Sequence, residues 1–307
     1  MPGRVHRGTL RPLGVIAVLL IGLGLPLTMP AAAEQPRDEP LIGPPPGDSL
    51  HVMSYNLRFA SHKRPNSWTQ RRPVMAELLR REQPTVIGTQ EGLYGQLKDI
   101  DEDLPDHYDW IGVGRAGGSR DEFMAVFYDT RRLEPLEFDN FWLSDTPEAV
   151  GSRSWGNRTI RMATWVRFAD LRTGREFVVV NTHFDDRSAE ARRRSAALIR
   201  DRINAFAPTL PVVLTGDFNS AAERSAPYEI LTRGAGLADT WLTAATRRSP
   251  QYMTWHGYRL LVPYGPRIDW MLTKGAVTVE AAAINTFTRD GQFPSDHLPV
   301  QTLLRFD

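Results

Sequence analysis

The segment Gly216-Asp217-Phe218-Asn219-Ser220 places a carboxylate and an amide two residues apart, directly after the apolar run Val212-Val213-Leu214. Gly216 lets the chain turn there, and extended spacing lets Asp217 and Asn219 face the same side. A carboxylate with an amide can hold a hard, oxygen-liganded cation or orient a water beside it. Taken alone, Asp-x-Asn equally describes an Asx turn closing a strand. A second candidate is Ser295-Asp296-His297-Leu298-Pro299-Val300, where a histidine with a neighbouring carboxylate enters the last apolar run. Such a histidine suits a general base near neutral pH. Its better orienter is Asp269, because adjacent extended residues point to opposite faces. Asp269 is also a lone acid inside Arg267-Ile268-Asp269-Trp270, and a buried acid needs a polar partner, with Arg267 as the structural alternative.

Three weaker signals share the same setting. Phe177-Val178-Val179-Val180 delivers His183 within Asn181-Thr182-His183-Phe184-Asp185, Thr85-Val86-Ile87-Gly88-Thr89 delivers Gln90-Glu91, and Asn56 interrupts an otherwise apolar stretch. Each stands at or just beyond a predicted strand, where loops on a rigid scaffold build sites. Glu91 is a natural Mg²⁺ ligand. Any one of them alone reads more simply as a structural polar residue.

The elements that must position these residues are legible from period. His51–Leu57 alternates polar with apolar as a strand does, and strands are also predicted over 85–89, 123–128, 133–143, 161–168, 176–184, 268–272 and 299–306. Helices are predicted over Arg71–Glu82, stopped by Pro84, and over Ser188–Phe206. Many strands with few helices point to an α/β or α+β sandwich of two packed sheets with helices outside. Gly112-Val113-Gly114-Arg115-Ala116-Gly117 matches a dinucleotide fingerprint in spelling only; no helix pattern follows it, so it reads as a glycine-rich loop.

Composition narrows the classes. The chain has no cysteine, which excludes a thiol nucleophile, an Fe–S cluster, thiolate zinc and a lipoprotein anchor. Arg4, Arg7 and Arg11, the apolar run Leu13–Leu27 and Ala31-Ala32-Ala33 form a signal-peptide pattern over residues 1–33, with cleavage before Glu34 and export as the expectation. The run falls short of the ~20 residues of a bilayer span, so no integral membrane segment is expected after cleavage. The Pro-rich stretch 34–48 reads as a disordered tether, and 49–307 as one catalytic domain. The chain has 37 basic and 36 acidic residues; without the leader's three arginines, 34 basic face 36 acidic. That balance does not favour nucleic acid as a partner. Arg192-Arg193-Arg194 and Arg247-Arg248 read as solvated faces.

Taken in order, Ser54-Tyr55-Asn56, Thr89-Gln90-Glu91, Asn181-Thr182-His183, Gly216-Asp217-Phe218-Asn219, Arg267-Ile268-Asp269 and Ser295-Asp296-His297 resemble the motifs of the endonuclease/exonuclease/phosphatase superfamily across residues 50–306. The resemblance implies a four-layer α/β/β/α sandwich and a Mg²⁺-dependent phosphoesterase, with Mn²⁺ as a substitute. It implies Glu91 as principal metal ligand, with Asn56 beside it and Asp296 as a further contact. It implies catalytic roles for His183, Asp217, Asn219, Asp269 and His297, with Glu122 orienting His183. Asn66-Ser67-Trp68, Phe141-Trp142-Leu143-Ser144-Asp145-Thr146-Pro147 and Arg161-Met162-Ala163-Thr164-Trp165 are similar to a branch of bacterial hydrolases, with Arg161 as the phosphate ligand. A phosphoester substrate and a monomer are expected. Nuclease and sphingomyelinase-type readings stay open, the latter through the stretch 252–264, as does a non-catalytic binding protein on the same scaffold.

Overall fold

In a computed structural model the chain is described over residues 39–307; the signal-peptide expectation lies outside the described residues. Two mixed sheets organise the domain. The first runs, in spatial order, Thr246–Arg247, Val277–Ile284, Val300–Phe306, Leu50–Asn56, Val86–Gln90, Val126–Asp129 and Tyr108–Ile111. The second runs Ala238–Asp239, Asp269–Lys274, Val212–Asp217, Glu176–His183, Met162–Asp170 and Leu133–Trp142.

Side-chain alternation assembles the layers. Leu50, Val52, Val86, Val300 and Leu304 of the first sheet meet Val166, Phe168, Val179, Val213 and Met271 of the second in one core between the sheets. Phe177 sits there with ring centroids 5.8 Å from Phe168 and 4.7 Å from Phe306. The opposite faces are buried too. Met53, Tyr55 and Ile87 pack under the helices Trp68–Glu82 and Tyr94–Asp103. Val178, Val180, Val212 and Leu214 pack under the helix Ala189–Ala205 through Ala196, Ile199 and Ile203. The result is the α/β/β/α sandwich expected. Both faces of the inner strands are covered, so all seven residues of Leu50–Asn56 are buried, and the polar–apolar alternation there marks no solvent face.

Local chemistry fixes the helix ends. Ser188 caps Ala189–Ala205, its side chain accepting from the Ala191 N–H, and the helix begins one residue after the predicted start. Gln83 closes Trp68–Glu82 in the left-handed region, followed by Pro84. Several elements were not predicted, among them the short strands Tyr108–Ile111, Ala238–Asp239 and Thr246–Arg247 and two longer elements. Val277–Ile284 contains Ala281-Ala282-Ala283, a helix-favouring run, yet it pairs antiparallel with Val300–Phe306 and buries those small residues. Tyr94–Asp103 buries only Gln96, Leu97 and Ile100, too few for a clear helical stripe.

The stretch 34–48 needs correction. Its described part, from Glu39, is a strap packed on the domain rather than a disordered tether. Buried Glu82 accepts from the backbone N–H groups of Leu41, Ile42 and Gly43 at 2.7, 3.1 and 3.1 Å. The same carboxylate accepts from the Asn285 and Gln301 amides at 2.9 and 2.8 Å. A carboxylate with five donors is satisfied in place, and the strap supplies three of them. Proline content indicated a segment without regular structure; it did not reveal a buried acid 40 residues away. Glu82→Ala removes that acceptor and is expected to destabilise the domain by about 3–5 kcal/mol in urea unfolding, with new proteolytic cleavage within 39–48. A loss below about 1 kcal/mol would contradict this role for Glu82.

Candidate active site

The strand ends of both sheets converge on one cluster. Asn56 ends Leu50–Asn56, Glu91 follows Val86–Gln90, and His297 precedes Val300–Phe306, all in the first sheet. His183 and Asp217 end two neighbouring parallel strands of the second sheet, and Asp269 opens a third, in register with Asp217. The Asn56 amide joins the sheets, donating to Glu91 Oε1 and Asp217 Oδ2, both at 3.0 Å. Asp217 Oδ1 accepts the Asn219 N–H at 2.9 Å, the Asx turn foreseen as the plain alternative. That turn serves the cluster: Asn219 adopts a left-handed φ of 45° and brings its amide nitrogen 3.1 Å from His183 Nε2.

His297 lies between two carboxylates, Nδ1 2.9 Å from Asp269 and Nε2 3.8 Å from Asp217. Asp269 is therefore its partner, while Arg267 pairs elsewhere, with Asp239 at 2.8 Å and Glu223 at 3.1 Å. Burial alone would lower the His297 pKa, but the charges of Asp269 and Asp217 outweigh burial and raise it to about 10. The imidazole is thus a cation at neutral pH, which makes it a proton donor rather than the free base its sequence setting suggested. Asp217 moves upward, through burial and the Asp269 charge, against the pull of His297. His183 moves well below the usual histidine value, through burial and then the charges of Arg161, His297 and Arg115, and stays neutral.

Two oxygens and a nitrogen, from Glu91, Asp217 and His183, lie within 4.8 Å of one another, as do ligand atoms of Asp217, Asp269 and His297. In the second group the His297 Nδ1 is already engaged by Asp269 at 2.9 Å. The first fits a hard divalent cation through its two carboxylates. Asn56 presents its NH₂ to these carboxylates and clamps them together, while its carbonyl accepts from the Arg58 N–H at 2.9 Å.

Two further expectations do not hold. Asp296 belongs to neither group and lies 3.5 Å from Arg58, because it points away from the face His297 presents. Glu122 does not orient His183: its carboxylate accepts from Arg115 at 2.6 Å, while His183 Nδ1 is buried without a hydrogen-bond partner. Burial, and secondly the Glu91 charge against that of Arg115, raise Glu122 to about 7. Arg161 is buried beside the cluster, donates to Asp186 at 3.2 Å and leaves Nε and Nη1 unpartnered. Arg115 was missed by sequence reasoning. It stands inside the glycine-rich loop, held by Asp121 and Glu122, with a buried Nε that is also unpartnered. No spacing rule links that loop to His183; only the electrostatic effect of Arg115 on the imidazole does.

Other motif residues are structural. Trp68 and Arg72 bind Asp99 at 2.6 Å each and tie the first two helices together. Arg193 and Arg194 pair with Glu190 on the exposed face of their own helix, as a solvated arginine run does.

Residues 53–297 match the model of the Endonuclease/Exonuclease/phosphatase family. The crystal structure of an endonuclease/exonuclease/phosphatase from Bacteroides vulgatus is 32% identical, with a TM-score of 0.79, covering 85% of this chain and 100% of that one. A mannosyl-6-phosphatase from Bacteroides thetaiotaomicron is 33% identical, with a TM-score of 0.77, covering 84% of this chain and 100% of that one. An uncharacterized protein of Acanthamoeba polyphaga mimivirus is 28% identical over 182 residues, which are 56% of this chain and 67% of that relative.

The His297–Asp269 pair has a defined pH sign. A raised folded pKa means that the pair's stabilisation is fully present below the unfolded value of about 6.5 and is lost as pH rises toward about 10. Imidazole NMR of the metal-free protein should show His297 still protonated at pH 8. Asp269→Asn should bring its titration down by more than one unit; a wild-type midpoint near 6.5 would refute the cationic assignment.

Proposed function

The chain belongs to the endonuclease/exonuclease/phosphatase family of phosphoester hydrolases, and on that premise we propose that it is a Mg²⁺-dependent phosphomonoesterase acting on a sugar phosphate. The observation that carries this reading is Arg161, a buried guanidinium beside His183 with two N–H groups unpartnered. Unpaired buried donors are costly, and a phosphoryl group supplies the oxygens they lack. Arg115, with a third unpaired N–H, offers a further donor for phosphoryl oxygens. The nearly even charge of the chain and its 33% identity with a mannosyl-6-phosphatase support the same choice.

The residues divide the chemistry by their charge states. Asp217, whose affinity for a proton is raised, accepts one from the attacking water, and Asn219 and neutral His183 orient the reactants. The water oxygen bonds to phosphorus as the phosphorus–alcohol bond breaks. His297, kept cationic by Asp269, passes its proton to the departing oxygen. Arg161 holds nonbridging oxygens throughout. A divalent cation held at Glu91 would supply Lewis-acid stabilisation of the developing negative charge, leaving Asp217 free to take the proton.

Release of inorganic phosphate from mannose 6-phosphate should require Mg²⁺, or Mn²⁺ in its place, and should stop with EDTA. Glu91→Gln and His297→Ala should each lower kcat by about 10²–10³-fold with the fold intact by circular dichroism. Turnover that survives EDTA, or activity confined to plasmid DNA, RNA or sphingomyelin, would reject the proposal. Export through residues 1–33 belongs to the same proposal, supported by the basic start, apolar run and alanine triplet. N-terminal sequencing of chain recovered outside the cytoplasm should then begin at Glu34; a cell-associated chain starting at Met1 would reject export.

A further inference from the structure

Trp255 pairs with His297 across an isolated antiparallel bridge. The flanking bonds are Leu298 N–H to Thr254 O at 2.7 Å and His256 N–H to Asp296 O at 2.9 Å. These two bonds bracket the 255/297 pair, which is therefore the close, non-hydrogen-bonded kind, with side chains on the same face and Cβ atoms roughly 4.5–5.5 Å apart. The Trp255 indole thus stands on the same face as the His297 imidazole of the cluster. Its neighbours Thr254 and His256 are fully buried, whereas Trp255 is 43% exposed. Thr254 also fixes the segment to the catalytic strand, its hydroxyl accepting from the Ile268 and Asp269 N–H groups at 2.9 and 3.0 Å.

The ring is braced from below. Gly257 has φ +57°, and a Cβ there would lie 3.3 Å from the indole, so the glycine lets the ring rest on the backbone. No other aromatic ring among the described residues stacks on Trp255. A braced tryptophan with an open face beside a catalytic histidine is not core packing.

We propose that Trp255 is the platform of the leaving-group subsite, on which the apolar face of the substrate's sugar ring stacks while its phosphate occupies the cluster of Glu91, Arg161 and His297. This rests on the phosphomonoesterase reading and adds the substrate's shape to it. Position selects the occupant. A group directly beside the phosphate cluster is the first ring after the scissile oxygen, which is the pyranose of a hexose phosphate and the ribose of a nucleotide, with any base lying farther out. The exposed Leu260 and Tyr264, at 91% and 82%, lie further along the same loop and are not needed for this contact.

The test compares kcat/KM for mannose 6-phosphate with that for glycerol 3-phosphate, whose alcohol has no ring face. Trp255→Ala should lower the ratio of the two by about tenfold, and Trp255→Phe should restore most of it. An unchanged ratio in Trp255→Ala would overturn the platform. Wild-type protein that releases phosphate from neither compound would instead defeat the phosphomonoesterase reading, and the platform with it, before any variant is compared. With 5′-AMP and 5′-UMP as substrates, a loss in Trp255→Ala that depends on the base would assign the ring to a nucleobase and overturn the sugar assignment.

Discussion

Everything at the catalytic end depends on how closely the two sheets approach beneath it. Asn181, buried in the second sheet, donates across the interface to the Thr89 and Ala125 carbonyls at 2.7 and 3.0 Å and accepts from the Gln90 amide at 2.7 Å. Thr215 donates to the same Asn181 oxygen at 3.1 Å. Gly88 makes room for this seam, since a Cβ there would lie 2.2 Å from the Thr215 hydroxyl and 2.8 Å from the Asn181 oxygen. An apolar interface can slip by a fraction of a residue at little cost, whereas a buried amide that loses its partners cannot. The seam therefore sets the register in which Glu91, one residue beyond Gln90, faces His183, two residues beyond Asn181.

With that register set, electrostatics assigns the work. Three acids and two histidines share a volume from which water is largely excluded, so their charges cannot be independent. Asp269 has His297 as its counter-ion, which keeps the imidazole charged. Burial, and then the charge of Asp269, raise the proton affinity of Asp217, with His297 pulling against them. Burial, and then the charges of Arg161, His297 and Arg115, hold His183 neutral. Two histidines of one cluster are thus held in different charge states by which neighbours each has, and that difference separates proton donation from orientation.

The periphery follows a similar logic of buried groups seeking partners. Glu82 fastens the strap 41–43 because a carboxylate inside the domain must find donors. Arg71, fully buried, collects the carbonyls of Leu57, Arg58, Phe59, Asn66 and Pro294, and so stiffens the turn after Asn56 that presents the Phe59 N–H to Glu91. Neither residue belongs to the chemistry, yet both shape the frame in which the chemistry sits.

The sequence by itself determined the layers and the core of the cluster, Asn56, Glu91, His183, Asp217, Asp269 and His297. Period-two apolar runs can bury both faces only between covering layers, and polar residues placed at the ends of such runs have a single end of the sandwich to occupy. It also determined the choice of Asp269 over Asp296 for His297, since strand geometry points neighbours apart. Tertiary structure alone decided what depends on partners distant in sequence. It set Asn56 as a clamp between Glu91 and Asp217, gave Glu122 to Arg115 rather than to His183, and placed His297 between two acids. It brought in Arg115 from a loop whose spelling suggested something else, and it set Trp255 beside His297 through a pairing across 42 residues. Charge state and substrate shape are properties of a neighbourhood, and a neighbourhood is fixed only when the sheets have packed.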